Sequence, residues 1–184
     1  AAMRERSVGL GVMGFHSLLQ KKSIPLESVM SKSWNNKIFK HIQVGVDLAS
    51  KKLSEERGPC PDAEEYGFKE RFSNKTAIAP TASISIICGG ASPGVEPVAA
   101  NSYTHKTLSG SYNVRNRYLK KTLEKYGKDN DDVWSTITTN QGSVEHLDFL
   151  TKNEKDVFKT AFEIDQKWII ELGADRTANV SQAQ

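Results

Sequence analysis

Residues 75–97 read KTAIAPTASISIICGGASPGVEP, and this stretch most restricts what the chain can fold into. It holds two short β-prone runs, 76–79 and 83–88, broken up by small residues and glycines. Helical patterns lie on both sides. In residues 33–58, Ile38, Ile42, Val46, Ala49 and Leu53 recur at helical spacing, with Ser33 as an N-cap and Gly58-Pro59 as a stop. In residues 154–172, Val157, Ala161, Ile164, Trp168 and Leu172 form a second stripe, and Thr151 with Glu154 supplies a capping box. A shorter helix is predicted over 114–126, stopped by Gly127. Helices alternating with short, largely apolar strands argue for α/β architecture with parallel strands.

At 184 residues the chain is about one domain long, and 38% hydrophobic with 26% charged residues is ordinary for a globular protein. No stretch approaches the roughly 18 apolar residues of a membrane span. The N-terminal AAMRERS lacks the basic-then-apolar layout of a signal peptide, so a cytoplasmic location is expected. A net charge of +3 is too small to argue for nucleic acid. The densest basic run, 115–125, fits a solvated helix face better than a nucleic-acid surface. Cys60 and Cys88 form no C-x-x-C and have no paired His, which argues against a zinc site and leaves both as small buried thiols. His16, His41, His105 and His146 are scattered, and none is placed as a base or ligand. The chain starts as if in mid-sequence and stops at NVSQAQ, and it reads as a segment of a longer polypeptide.

Gly9, Gly11 and Gly14 in SVGLGVMGF have the G-x-G-x-x-G spacing of a dinucleotide loop. That loop needs a buried strand before it, a helix opening at its end, and an acid about 20 residues on. Arg4-Glu5-Arg6-Ser7 is a poor buried strand, and the nearest acid, Glu27, comes too early and after Pro25. Only the helix is plausible. The favoured reading is close packing of backbone against a neighbouring element; an NAD-binding oxidoreductase domain is a minor alternative.

Residues 79–97 carry more chemistry. Pro80 fixes a turn, and Thr81, Ala82 and Ser83 then offer small side chains, two hydroxyls and consecutive N–H groups. Such a turn cups an anion where donors converge and nothing bulky blocks the approach. No Lys ends the loop, so it is not a P-loop of the G-K-[ST] type. The residues alone leave an anion cup and an ordinary small-residue strand start equally open.

IAPTASISIICGGASPGVEP resembles the signature of the large, catalytic (alpha) subunit of ribonucleotide reductase, in its barrel domain. RERSVGLGVMGF resembles the family's R-x-x-G-L-G-V-M-G segment. ERGPCP, NSYTHKTLSGSYNVRN, NQGSV and DQKWIIELGADRTANVSQAQ follow in the family's order. The resemblance covers essentially the whole chain, so residues 1–184 are read as a C-terminal portion of that domain. It implies part of a ten-stranded α/β barrel, with helices alternating with short parallel strands.

The resemblance also implies an activity. Family members reduce ribonucleotides to 2′-deoxyribonucleotides for DNA synthesis by thiyl-radical chemistry. The matching loop binds substrate phosphate, which assigns Pro80, Thr81, Ala82, Ser83 and Ile84 to that role. Many members have Thr or Ser where this chain has Ile84, so a backbone contact is expected there. Gly89, Gly90, Gly94 and Glu96 would lie in an active-site loop, with Glu96 read as a buried structural carboxylate in preference to a catalytic one. The family's thiyl cysteine, its Asn and Glu partners, both redox cysteines and the allosteric cone lie upstream of the matched part. The radical-relaying tyrosine pair lies downstream. No catalytic residue, metal or cofactor is therefore expected in this segment. The implied partners are a ribonucleoside diphosphate, the remainder of the large subunit, a small radical-generating subunit with a dimetal centre, and thioredoxin or glutaredoxin. No membrane or nucleic-acid partner is expected. THKTLSG and the S-x-A-Q ending favour this class I version, and an adenosylcobalamin-dependent class II enzyme is the alternative.

Overall fold

The computed structural model describes residues 2–108 and 110–182. Ser109 of THKTLSG and the last two residues of the S-x-A-Q ending lie outside them. In chain order the elements are α1 (Ala2–Glu5), α2 (Phe15–Lys21), α3 (Val29–Arg57), α4 (Pro61–Glu65), α5 (Ala82–Ile87), β1 (Ser102–Thr107), β2 (Gly110–Arg115), α6 (Arg117–Lys125), α7 (Asp131–Thr139), α8 (Lys152–Val157) and α9 (Gln166–Thr177). They divide into two units. One holds residues 1–12, 32–79 and 169–184, and the other holds 13–31 and 80–168.

In the first unit, the glycine-rich segment runs alongside the first β-prone run. Val8 N donates to Asn74 O at 3.0 Å, Leu10 N to Lys75 O at 3.1 Å, and Ala77 N to Leu10 O at 3.1 Å. The Leu10–Thr76 bridge is parallel but isolated, and residues 77–79, expected to continue a strand, form none. Gly9 and Gly11 permit this approach. A Cβ on Gly9 would stand 3.1 Å from Ala77 Cβ, and one on Gly11 would stand 2.4 Å from Ala77 O. These two glycines thus serve close backbone packing. Ser181 and Gln182 flank the same run. Ser181 N donates to Thr76 Oγ1 at 2.7 Å and Ile78 N donates to Gln182 Oε1 at 2.6 Å. Lys75 is fixed between Asp47 at 2.6 Å and Glu70 at 3.3 Å. Burial alone would raise the Asp47 pKa, but hydrogen bonds from Lys75 and Gln43 outweigh it and hold the carboxyl below its ordinary value.

Helix α3 ends where expected, at Gly58 with φ +79° before Pro59. It starts earlier than predicted, because Ser28, not Ser33, caps it: Ser28 Oγ accepts from Ser31 N at 3.2 Å. Its most buried positions also differ from the apolar stripe. Ile38, Ile42, Val46 and Leu53 are half-buried and Ala49 is exposed, whereas Asn35, Phe39, Ser50 and Ser54 are buried. The buried polar groups serve backbone elsewhere. Asn35 Nδ2 donates to Leu172 O at 3.0 Å, and Ser50 Oγ accepts from Arg71 N at 3.1 Å. Cys60 is buried, as expected, with Sγ 3.4 Å from Ser73 Oγ.

In the second unit, β1 and β2 form an antiparallel hairpin running from Ser102–Arg115 to Thr107–Gly110. Val114 and Arg115 therefore belong to a strand, and the helix predicted from 114 begins at Arg117. Asn116 caps it, accepting from Tyr118 N at 2.9 Å. Leu119 and Leu123 face the core with Trp134, Ile137, Val144 and Val157. The capping box at Thr151 and Glu154 is present. The single helix predicted over 154–172 is instead two, α8 and α9. Between them, backbone N–H groups are diverted from the helical ladder. Thr160 N goes to Glu163 Oε2 at 2.8 Å, Ala161 N to Val98 O at 2.8 Å, and Asp165 N to Glu27 Oε1 at 2.7 Å. Asp165 then accepts from Lys167 N at 2.9 Å, a cap-type bond at the start of α9. Among the described residues no helix is long and apolar enough to cross a membrane.

His16 on α2 is fully buried, and its Nδ1 accepts from Val98 N at 3.1 Å. Burial lowers its pKa to about 4, against a smaller upward pull from the Val157 backbone, so the ring is neutral. The unfolded chain binds the extra proton first. Stability is complete above about pH 6.5 and falls toward pH 4, by about 3 kcal/mol over that window. Urea unfolding of wild type and His16→Gln between pH 7 and 4 checks this. The variant should lose that part of the pH slope, and an unchanged slope would refute the assignment.

The glycines give a second test. Gly11→Ala must displace the Ala77 carbonyl and should cost about 1–3 kcal/mol. Gly45→Ala, in α3 with nothing within 4 Å of the new methyl, should gain about 0.5–1 kcal/mol. Thermal unfolding of the two variants should move in opposite directions.

Candidate functional site: the loop at 80–84 and its supports

Thr81 begins the site with unusual backbone: φ 52° and ψ 30° place a β-branched residue in the left-handed region. That conformation turns the chain sharply after Pro80 into α5. Residues 83–88 were expected as a strand, and the structure corrects this to a helix. Ser85 N donates to Thr81 O at 2.9 Å and Cys88 N to Ile84 O at 2.9 Å. The alternation Ile84, Ser85, Ile86 mimics a strand period, but only Ser85 is buried and Ile84, Ile86 and Ile87 are exposed. Gly89 and Gly90, at φ 80° and 69°, end the helix, and both N–H groups go to Ile86 O at 3.1 Å. Cys88 is exposed, so the expectation of a buried thiol fails there.

Among the described residues, no hydrogen bond takes the N–H groups of Ala82, Ser83 or Ile84. Ala82 and Ser83 are exposed, and Thr81 is half-buried. The turn thus presents three backbone donors and two hydroxyls. No residue of 79–97 is basic. Thr81 Oγ1 already accepts from Gly94 N at 2.8 Å, which leaves its proton free to donate outward.

Gly89, Gly90, Gly94 and Glu96 fall into two groups. Gly94 is buried and touches Thr81 directly. Gly89 is fastened from outside, because the Arg117 guanidinium donates to its carbonyl. Glu96 is exposed, so the buried structural carboxylate expected there is not found. Its N–H closes a turn onto Pro93 O at 2.9 Å.

The motif reading missed Ser17 and Ser92. Both are buried, and they exchange two bonds: Ser92 N donates to Ser17 Oγ at 2.8 Å, and Ser17 N to Ser92 Oγ at 3.1 Å. The signal was small polar residues on the buried side of α2, where Ser17 and Gln20 accompany Phe15 and Leu19. A cavity of about 210 Å³ adjoins the loop, with Ser17, Gln20, Ser85, Gly90, Asn101 and Asn116 in its wall.

Comparison with known proteins gives a consistent result. The profile of the ribonucleotide reductase barrel domain matches residues 1–70 and 61–184. The ribonucleoside-diphosphate reductase large subunit of Invertebrate iridescent virus 6 is 46% identical over all of this chain and 19% of its own length. That of Invertebrate iridescent virus 3 is 45% identical over all of this chain and 29% of its length. The solved alpha subunit of the Actinobacillus ureae class Id ribonucleotide reductase superposes with a TM-score of 0.89 at 39% identity, covering all of this chain and 33% of that one. The chain spans about a fifth to a third of the length of these relatives.

Proposed function

The chain belongs to the ribonucleotide reductase barrel-domain family, and we propose that it forms the C-terminal part of the barrel of a ribonucleoside-diphosphate reductase large subunit and holds the substrate's phosphates at Pro80–Ile84. The observation that carries this reading is the turn itself: Thr81, held in the left-handed region, and Ser83 offer two hydroxyls beside three backbone N–H groups that have no partner among the described residues. An oxyanion takes such donors without needing a cation from the loop.

Pro80 sets the approach of the chain. Thr81 and Ser83 donate hydroxyl protons to phosphate oxygens, and Ala82, Ser83 and Ile84 donate backbone N–H. Ile84 supplies backbone only. Gly89, Gly90, Gly94 and Glu96 form a loop beside the bound nucleotide. In the full enzyme the ribose 2′-hydroxyl leaves as water while a cysteine pair is oxidised to a disulfide, and thioredoxin or glutaredoxin reduces that pair again. Those cysteines, the thiyl radical site and the allosteric cone belong to the rest of the large subunit. Cys60 is buried and Cys88 stands after the loop, and neither takes part.

Radical generation belongs to a small partner subunit with a dimetal centre. Among the described residues no three His, Cys, Asp or Glu side chains gather as metal ligands. The class Id neighbour and the diphosphate-reductase relatives favour this version over an adenosylcobalamin-dependent enzyme.

In the full-length enzyme, Thr81→Val and Ser83→Val should each raise KM for the ribonucleoside diphosphate about tenfold, as loss of a hydrogen bond to a charged group does. Binding of the allosteric effector should stay within about twofold. Steady-state kinetics with an effector titration checks both, and an unchanged KM in the two variants would sink the assignment. The 184-residue chain alone should form no deoxynucleotide from diphosphate, reductant and small subunit; measurable product would overturn the division of labour above.

A further inference from the structure

Helix α2 opens without a cap of its own. Its N-cap is Gly14, at φ +82°, which has no side chain to accept from the first N–H groups. The loop at 92–94 accepts instead. Gly14 N donates to Ser92 O at 2.9 Å, Phe15 N to Gly94 O at 3.3 Å, and Ser17 N to Ser92 Oγ at 3.1 Å. Ser92 N returns a bond to Ser17 Oγ at 2.8 Å. Four bonds thus seat residues 92–94 on the first turn of α2. Ser92 is fully buried and Ser17 is 6% exposed, so water does not replace these bonds when one is lost.

The same loop reaches Thr81. Gly94, whose own carbonyl caps α2, donates its N–H to Thr81 Oγ1 at 2.8 Å. That bond orients a side chain on left-handed backbone, a conformation that persists only where surrounding structure holds it.

The floor under α2 is equally determined. Asn101 Nδ2 donates to Gly142 O at 2.9 Å and Phe158 O at 2.7 Å, so its Oδ1 must accept from Asn116 Nδ2, at 2.8 Å. Asn116 Oδ1 caps α6, and its Nδ2 also donates to Gln20 Oε1 at 2.9 Å. Gln20 lies on the same buried side of α2 as Ser17. A continuous line of hydrogen bonds and short helix therefore runs from the α6 cap through α2 to Thr81.

We propose that Ser17 and Ser92 are positioning residues for substrate phosphate: by seating residues 92–94 on α2 they aim Gly94 N–H at Thr81 and hold the 80–84 turn in the geometry that accepts a nucleoside diphosphate. This rests on the phosphate-loop reading above. The pair touches no substrate and acts through Gly94 and Thr81. It also gives the third glycine of the G-x-G-x-x-G spacing its work, since Gly14 lets α2 start against the loop.

The test uses the full-length large subunit with Ser17→Ala, Ser92→Ala, Ser17→Thr and Thr81→Val. Equilibrium binding is measured for a ribonucleoside diphosphate, for the same nucleoside without phosphate, and for the allosteric effector. Ser17→Ala and Ser92→Ala should weaken diphosphate binding about tenfold and leave nucleoside and effector binding within about twofold. Ser17→Thr keeps the acceptor and should restore diphosphate affinity. In a double-mutant cycle Ser92→Ala should add less than about twofold to Thr81→Val, because both act through one bond. Equal loss for diphosphate and bare nucleoside would mark the pair as merely structural and overturn the proposal. So would wild-type diphosphate affinity in Ser17→Ala with Thr81→Val impaired. If Thr81→Val itself binds diphosphate normally, the phosphate-loop reading falls first. Ser17→Ala, which leaves the Ser92 side chain in place, carries the test if Ser92→Ala does not fold.

Discussion

The backbone N–H groups at the start of α2 have to find acceptors, and the residue at the helix start supplies none. Gly14 has no side chain, and a helix end buried without partners is costly. The acceptors come from residues 92 and 94, far along the chain. This substitution of a distant loop for a local cap binds two remote stretches together. It places Gly94 where its N–H meets Thr81, and it gives the turn at 80–84 a rigid back support. The candidate site follows from a requirement of α2, not from the preferences of its own residues.

Buried polar groups recur wherever a helix carries a loop. Ser17 on α2 takes the loop at 92, Ser50 on α3 takes Arg71, and Asn35 on α3 takes the Leu172 carbonyl within α9. Ser17 and Ser50 each offset a buried polar atom with a bond from loop main chain. Loops held in this way keep a fixed geometry without hydrophobic anchors of their own. Residues 88–94, with one Cys, three glycines, one Ala, one Ser and one Pro, have few such anchors.

Features set by local chemistry were legible in the sequence. Gly58-Pro59 ends α3, Thr151 and Glu154 make the capping box, and Gly9 and Gly11 pack backbone on Ala77. Features set by distant partners were not. The 83–88 run alternates like a strand, yet Thr81 in the left-handed region turns it into a helix. Thr81 also accepts a bond from Gly94, 13 residues on, that no local pattern announces. The 154–172 stripe is continuous in sequence, but Glu27 and Val98 draw off the N–H groups that would have continued the helix. Asp165 is a readable cap in hindsight, masked by an apolar period that runs straight through it. Residues 80–84 were assigned through the family resemblance, since their composition left an anion cup and a strand start equally open, while the roles of Ser17 and Ser92 rest on a pairing across 75 residues that their own neighbours do not announce.

On the proposed reading, a loop with no basic residue has a particular way of binding phosphate. A lysine attracts an anion from a distance and tolerates several orientations, since its ammonium acts as a point charge. Backbone N–H groups and hydroxyls do neither: their bonds are short-ranged and fall off steeply with angle. Affinity then depends on how accurately the donors converge, and the turn must be held before the ligand arrives. Thr81 cannot hold itself in the left-handed region at low cost, because a β-branched residue there is strained. The bond from Gly94, and behind it the seating of Ser92 on α2, supplies the missing constraint. On the proposed reading, the lack of basic residues in 80–84 and the support behind the turn belong together, since donors that act only at short range recognise phosphate through preorganised geometry.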